Sequence, residues 1–451
     1  MKSKYIFIGA GFANLSAINY LLDNEINDIV LFEKGKTISE RNCPGIDDSE
    51  CVKCNTCDVV CGFGGSNALF GNKLCYFPAS SDILKYFHQD AIISSFDYMS
   101  NKLGLYFDEN KIKTLDNDPN KKHYFSEPFK KKEFSELVNL LKYDITNSDI
   151  DIIHKEVKDI KKTKSDMFCL TTKNGDVYKS KNAIIGTGRS GNKFLETSLK
   201  NFNIPYLDNK PDVGIRIEMN KSNYNQNYLY QVDPKFKFKV PELGIARTFC
   251  AHNQGTITPV KFGKAFYADG AFLNNFSNTN NIALMSRINT PYNKLKLENW
   301  CYDINKYFNN SLLIKTLNLN TINLDELPNI ITGSIPYWPN RKYRKLINFL
   351  SSKMFKDDRY KIIKNNLKGK LRIYGPAIDK YWIKPEIKSN LSTRVNNLYI
   401  IGDAAGISRG FIQSMFSGVA WASQKIKYNN KSNKYNNINL TKEKEIWSVS
   451  E

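Results

Sequence analysis

No stretch of this 451-residue sequence reaches the ~18–20 consecutive apolar residues that a membrane-spanning helix needs, so no membrane span is expected. Histidine is scarce, limited to His88, His123, His154 and His252. No Ser-His-Asp arrangement or paired-carboxylate motif stands out, so the chain carries no visible constellation for hydrolysis. Acidic residues are outnumbered, 45 against 65 basic, for a formal net charge of +20. Such a surplus supplies the electrostatic part of binding to nucleic acid, a phosphorylated substrate or a membrane face. It also has a blander source, because the chain is rich in Asn, Lys and Ile, the composition of AT-rich coding sequence. A disulfide framework is not indicated either. The nine cysteines are an odd number, most of them fall from Cys43 to Cys75, and clustering of that kind in an unsecreted chain points to metal or redox chemistry.

What the chain does have is enough apolar material for a sizeable core, at 41% hydrophobic residues, and a length that suggests two or three domains. Met1 to Ile8 reads as a first strand running into glycines, not as a signal peptide, and a cytoplasmic protein is expected. Tyr5-Ile6-Phe7-Ile8 is a short β-favouring run, followed at once by Gly9-Ala10-Gly11-Phe12-Ala13-Asn14. Leu15, Ile18, Leu21 and Leu22 then recur at helical spacing, and Asp28 to Phe32 is a second apolar run ending in Glu33 and Lys34. Strand, glycine turn, helix, strand and acid in that order fit a bound dinucleotide. Gly9 permits the tight turn, Gly11 lets the backbone approach a pyrophosphate, and the helix N-terminus offers unpaired N–H groups. Glu33 stands 22 residues after Gly11, where a carboxylate accepts from ribose hydroxyls. Asn14 occupies the place of the usual third glycine, which serves helix–strand packing.

Two later elements select FAD over NAD. Asn182 to Ile185 is an apolar strand ending in Gly186-Thr187-Gly188, and Leu398 to Ile401 is another ending in Gly402-Asp403-Ala404-Ala405-Gly406. Gly410 and Phe411 then open a helix-like stretch to Ile426. An aspartate at such a turn can bond the ribityl or phosphate region of an extended flavin cofactor. Three such elements, at the start, middle and end of the chain, resemble the glutathione-reductase-like FAD fold, and the resemblance implies an α/β, FAD-binding Rossmann-like domain with an inserted α+β substrate domain. Its expected layout is residues 1–190 for the first part of the FAD domain, 191–380 for the insertion, 381–430 for the completion and 431–451 for a polar tail.

Cys51-x2-Cys54-x2-Cys57-x3-Cys61 is the tightest motif in the chain, with Cys43 before it and Cys75 after it. The spacing matches the bacterial ferredoxin run for an iron–sulfur cluster, with Gly62 where that run has Pro, and Cys43 or Cys75 is an alternative ligand. Zinc, a redox dithiol and plain packing of small apolar side chains are the competing readings. The run leads into Gly62-Phe63-Gly64-Gly65-Ser66-Asn67, whose glycines let backbone pass close to a ligand; Gly64 and Gly65 are therefore counted with the cofactor.

With these residues in view, the chain resembles the bacterial and archaeal NAD(P)/FAD-dependent oxidoreductases, a group of FAD-dependent dehydrogenases, over roughly residues 1 to 426. Gly62, Gly64, Gly65, Lys73 and Leu74 match that group's cysteine-cluster and glycine pattern, whereas Ser66-Asn67 and Phe70-Gly71-Asn72 depart from it. Further matches are Asp212 to Glu218, Asp233-Pro234-Lys235-Phe236, Arg247-Thr248-Phe249-Cys250, Arg372 to Ala377, and Gly402 to Gly406 with Arg409-Gly410. The resemblance implies FAD and redox catalysis and carries over no substrate. A small molecule is expected, such as an unsaturated lipid or isoprenoid as for the related geranylgeranyl reductases, with NAD(P)H or ferredoxin as electron donor.

Elsewhere the sequence is less specific. Ser80-Ser81-Asp82 reads as a cap for a helix through Leu84 and Phe87, and Ile152 to Val157 as one strand whose Val157 backbone meets the adenine. The weak catalytic candidates are His252, Cys250 and Arg247. His252 is an acid or base beside the flavin or an ordinary hydrogen-bonded histidine. Arg216 and Arg247 hold an anionic substrate or belong to a salt-bridged framework, and Tyr374 and Tyr381 read mainly as core aromatics. Residues 427 to 445 read as a polar frayed tail. Two alternative functions stay open: a flavin-dependent RNA-modifying enzyme that docks RNA on a basic surface, and a non-enzymatic redox sensor switched at its cysteines.

Overall fold

The computed structural model describes residues 2–43, 54–69, 72–75, 82–105, 118–122, 126–224, 233, 235–272, 275–290, 293–364, 368–379 and 383–427. Cys51, Ser80, Ser81, His123, Pro234, Tyr381 and the tail from 428 lie outside them. Among the described residues no helix is long and apolar enough to cross a membrane.

The chain is a mixed α/β protein built on two seven-stranded sheets. In the first, five strands run parallel in the order Asp151–Ile153, Ile29–Phe32, Lys2–Ile8, Val177–Ile185 and Leu398–Ile400. Ile6-Phe7-Ile8 and Ile29 to Phe32 are buried on both faces, as continuous apolar runs at the centre of a parallel sheet require. The strands Val157–Lys162 and Phe168–Thr172 extend this sheet antiparallel along the opening half of Val177–Ile185. From the first strand the chain builds outward on one side, then returns to build on the other. The order therefore switches between Lys2–Ile8 and Val177–Ile185, the place where open parallel sheets leave a crevice at their carboxyl ends.

Two expectations are corrected here. The stretch from Ile152 to Val157 is not one strand. Ile153 O accepts from Glu33 N at 3.1 Å and from Lys155 N at 2.9 Å, so the chain turns at His154 and resumes as the separate strand Val157–Lys162. Asp82 does not cap a helix running through Leu84 to Phe87 either. Its carboxylate lies 3.4 Å from Lys85 and 3.6 Å from Lys384, only the short turn Ile83–Lys85 follows, and the helix proper is Gln89–Leu103.

The first helix, Phe12–Leu22, and the last, Phe411–Lys427, pack on the first sheet and on each other, so closely that a Cβ at Gly418 would stand 2.0 Å from Ala13 O. Both helices begin at the carboxyl edge of the sheet. The helix Lys131–Thr146 adds the buried face Phe134, Leu137, Val138, Leu141 and Ile145 to the same core.

The second sheet is antiparallel, in the order Leu313–Asn318, Lys370–Asp379, Asp212–Asn220, Thr279–Ile288, Gly244–His252, Lys235–Val240 and Lys121–Lys122. All but the last of these strands come from the chain between Val177–Ile185 and Leu398–Ile400 of the first sheet. Helix Arg341–Lys356 buries Tyr343, Leu346, Ile347, Leu350 and Met354 in its core. A hairpin of Thr256–Phe262 and Ala265–Ala271 packs against the strand Lys370–Asp379. Val59, Val60, Cys61 and Leu69 belong to this second core while neighbouring Phe63 and Ala68 belong to the first, so the cysteine and glycine segment is wedged between the two.

Candidate functional site

Five backbone segments close on one cleft at the carboxyl edge of the parallel sheet. The turn after the first strand contributes Gly9, Gly11, Phe12 and Ala13, and the end of the second strand contributes Glu33. The glycine segment adds Gly64 and Gly65, the turn after Val177–Ile185 adds Gly186, Thr187 and Gly188, and the opening of the last helix adds Gly402, Asp403, Gly410 and Phe411. Asn14, Lys34 and Val157, which sequence reasoning placed with them, do not line this cleft. Val60, Cys61, Gly62, Ser66, Arg189, Ser190 and Ser414 line it without having been singled out beforehand for a cofactor. Among these, only Gly62 and Ser66 carried a usable signal, since they lie inside the glycine run.

The floor of the cleft is set by the first helix. Gly9 takes a left-handed φ of +96°, and the first intrahelical bond runs from Leu15 N to Gly11 O at 3.0 Å. The N–H groups of the first turn therefore face the cleft without intrahelical acceptors. That turn carries no acidic residue, which leaves the positive end of the helix dipole available to an anion. Asn14 explains how the chain manages without a third glycine in the helix. Its amide donates to Ile8 O at 3.0 Å and Gly9 O at 2.6 Å, and room for it comes from Gly186, where a Cβ would stand 2.4 Å from Asn14 Oδ1. The small residue needed at this crossing sits on the neighbouring strand.

Glu33 is the keystone of the adjoining wall. Its Oε2 accepts from Ala10 N at 2.7 Å, and its Oε1 accepts from Gly35 N at 2.8 Å and Gly62 N at 3.1 Å. One buried carboxylate thus joins the first turn, the end of its own strand and the glycine segment. Arg41 shapes that segment from behind, donating to Asp58 O at 2.8 Å, Val59 O at 3.1 Å and Phe63 O at 2.7 Å. Burial lowers its guanidinium to about 10 against the opposing pull of Glu33, Cys61 and Asp58.

On the opposite wall, Ser414 Oγ donates to Asp403 Oδ1 at 3.1 Å. Burial pushes the Asp403 carboxyl up to about 6, against the opposing pull of Arg189. Behind it stands an ion network. Arg247 pairs with Asp212 and, at 2.9 Å, with Asp379; Arg287 pairs with Asp212 at 2.7 Å; Arg409 pairs with Asp379. Arg216 donates to Cys250 O at 2.8 Å and Asn281 Oδ1 at 2.6 Å. Arg216 and Arg247 are thus both engaged with groups of the second sheet. The network also shows why segments distant in sequence, around 212, 247, 379 and 409, occur together.

The remaining candidates separate in the same way. Lys73 pairs with Asp233 at 2.9 Å and donates to Ala251 O at 3.0 Å, while Asp233 accepts from Ala251 N at 2.9 Å. Together they clamp a bulge in which Cys250 takes a φ of +48°. Among the described residues no group of three or more His, Cys, Asp or Glu is placed to hold a metal ion, so Cys54, Cys57 and Cys61 are not gathered as ligands. Cys61 is buried in the second core, with Cys43 and Cys57 packed against it, and burial raises its thiol. Burial likewise pushes Cys75 up to about 11. Thiols held protonated in this way are poor nucleophiles.

His252 is fully buried. Nδ1 lies 3.0 Å from Cys250 O, which only accepts, so Nδ1 carries the proton. Burial, reinforced by Lys73 and Arg216, drives its pKa well below the usual range. Below pH ~6.5 the unfolded chain binds a proton that the native imidazole refuses, so His252 costs stability as the pH falls. The cost is about 1.4 kcal/mol for each pH unit over which the native ring stays neutral. We expect His252→Leu to flatten the decline of the urea midpoint between pH 6.5 and 5; an unaltered decline contradicts a buried neutral ring.

No family model matches the chain, and no curated protein matches it. Among solved structures it is similar to the Diels-Alderase PyrE3 of the pyrroindomycin biosynthetic pathway, at 10% identity over 92% of this chain and 63% of that one, with a TM-score of 0.38. It is also similar to the tetracycline destructase Tet(55), at 10% identity over 95% of this chain and 81% of that one, with a TM-score of 0.40. A third is CtdE in complex with FAD and substrate, at 10% identity over 92% of this chain and 78% of that one, with a TM-score of 0.36. The chain thus spans 63% of the length of the first of them. At these TM-scores the correspondence is one of outline, and the chemistry of the cleft follows from its own residues.

Proposed function

We propose that the cleft binds FAD and that the protein is an FAD-dependent oxidoreductase of the glutathione-reductase-like type. The observation that carries this reading is the single cleft at the switch point, where the helix N-terminus at Phe12, the Glu33 wall and the Gly402-Asp403 turn lie side by side along the sheet edge. In this reading the adenosine would lie at Glu33, the pyrophosphate over Gly9 and Gly11, and the ribityl chain at Asp403. The residues fit this occupant. Glu33 uses three of roughly four carboxylate lone-pair positions on backbone N–H groups, which leaves one for a ribose hydroxyl. Thr187 Oγ1 lines the cleft, is buried and has no partner among the described residues, as suits a group that bonds a cofactor hydroxyl or phosphate.

Bound FAD would supply hydride or electron transfer between a donor and a substrate. The chain's own residues bind it, orient it and shield it from water. The second sheet would carry a small-molecule substrate, as an inserted substrate domain over residues 191–380 would.

Gly11→Asp tests the assignment. Gly11 has an ordinary φ of −79°, and a Cβ there would meet only Gly186 O, at 3.7 Å, so the fold accommodates the change. The new carboxylate would stand where the pyrophosphate belongs. FAD affinity, followed by quenching of flavin fluorescence, is expected to fall about 100-fold, roughly 2.7 kcal/mol, with the melting temperature of the cofactor-free protein unchanged. Equal affinity in both proteins contradicts the assignment.

A further inference from the structure

We propose that Asn14 is a positioning residue for the dinucleotide phosphates, holding the first turn so that N–H groups, and not its carbonyls, meet them. This inference rests on the FAD reading above. It runs against the usual fingerprint, in which a third glycine occupies this place and serves helix–strand packing. In this chain, installing that glycine is expected to weaken phosphate binding.

Asn14 lies in the first turn of the helix Phe12–Leu22 and is fully buried, below the floor that Gly9, Gly11, Phe12 and Ala13 line. Both of its Nδ2 protons are used on the turn, one on Ile8 O at 3.0 Å and one on Gly9 O at 2.6 Å. Ile8 O has a second donor, Gly186 N at 3.0 Å. For Gly9 O, Asn14 is the only donor among the described residues. The next N–H, that of Ala10, is held by Glu33 Oε2 at 2.7 Å. The single peptide between Gly9 and Ala10 is therefore fixed at both ends, its carbonyl by Asn14 and its N–H by Glu33. This peptide precedes the unpaired N–H groups of the helix. With its carbonyl turned up into the cleft, it would set the negative end of a dipole against an incoming anion. Bonded to a side chain buried below the floor, that carbonyl is drawn away from the anion's path.

Packing does not account for the amide. A helix–strand crossing needs only a small residue here, yet the chain keeps Asn14 and leaves the neighbouring strand without a side chain at Gly186, where a Cβ would fall on the Asn14 amide. Asn14 Oδ1 is also buried with no partner among the described residues, which costs free energy. Flipping the amide brings no relief, because it would set an oxygen against two carbonyls that only accept. The arrangement keeps an unsatisfied oxygen in order to keep both donors on Ile8 O and Gly9 O.

The test compares wild-type protein with Asn14→Gly and with the double change Asn14→Gly, Gly186→Ala. The alanine refills the vacated space, and Gly186 has no left-handed φ to oppose it. Binding of ADP and of adenosine is measured by competition with FAD, followed by flavin fluorescence, beside the melting temperature of the cofactor-free protein. Losing the donor to Gly9 O is expected to lower ADP affinity roughly 10-fold in both variants while adenosine affinity stays within about 2-fold. The double change should recover the melting temperature and not the ADP affinity, and it carries the comparison if Asn14→Gly fails to fold. Wild-type ADP affinity in Asn14→Gly overturns the inference and leaves the FAD reading standing. Equal losses for ADP and adenosine, or full recovery of ADP affinity in the double variant, make Asn14 a packing residue and equally overturn it. Wild-type protein that binds neither FAD nor ADP overturns the reading underneath.

Discussion

Replacing Glu33 by alanine is expected to destabilise the protein by about 3–6 kcal/mol and to abolish FAD uptake. The side chain is 7% exposed, and its two oxygens are the acceptors for Ala10 N, Gly35 N and Gly62 N. Removing it leaves three donors in a buried wall, each costing about 1–3 kcal/mol when its acceptor is lost, and takes away the carboxylate proposed to meet the ribose. Glu33→Gln recovers only part, because one of its two terminal groups is itself a donor. Urea unfolding followed by tryptophan fluorescence reads the effect, since Trp421 is fully buried in the first core. A Glu33→Ala protein with the wild-type midpoint shows that the three bonds do not hold this wall together.

Asp212→Ala should be of similar severity, about 3–5 kcal/mol, by a different route. Asp212 is 1% exposed and pairs with both Arg247 and Arg287. Without it, two guanidiniums are left short of countercharge in a half-buried site. The double change Asp212→Leu with Arg247→Met removes charge on both sides and should recover part of the loss. The pair also gives acid sensitivity a definite sign. Burial alone would raise the Asp212 carboxyl, but Arg247 and Arg287 outweigh it and hold it below its ordinary value. Its contribution is therefore complete above pH ~4, where the unfolded carboxyl ionises, and is lost as the pH falls through the lower native value. Asp212→Asn should blunt the acid limb of the stability curve; an unchanged acid limb places the sensitivity in other carboxylates.

The glycine turns at Gly9, Gly186 and Gly402 were legible in the sequence because a strand, a glycine and a helix start are local patterns, and the cleft is where three such patterns meet. Glu33 was legible as an acid at the right distance. That it also braces Gly62 was not, because the partner belongs to a segment whose path depends on Arg41. Asn14 looked like a departure from the fingerprint, and the compensating glycine lies on a strand that becomes a neighbour only in the folded sheet. The cysteine run is read from spacing alone. Its spacing is that of a ligand set, but Cys57 and Cys61 are drawn toward the apolar core shared with Val59 and Val60. Arg216 and Arg247 were balanced between anion binding and framework because their carboxylate partners come from distant strands. Arg189 gave no signal at all, since a single arginine after a glycine turn has no local mark.

The account stands most directly on the stoichiometry of FAD in the purified protein. Protein denatured after gentle purification, or after incubation with FAD and gel filtration, is predicted to release close to one FAD per chain, with Gly11→Asp releasing almost none. Wild-type protein that emerges colourless and stays free of flavin after incubation would contradict the claim that this cleft is a dinucleotide site for a flavin.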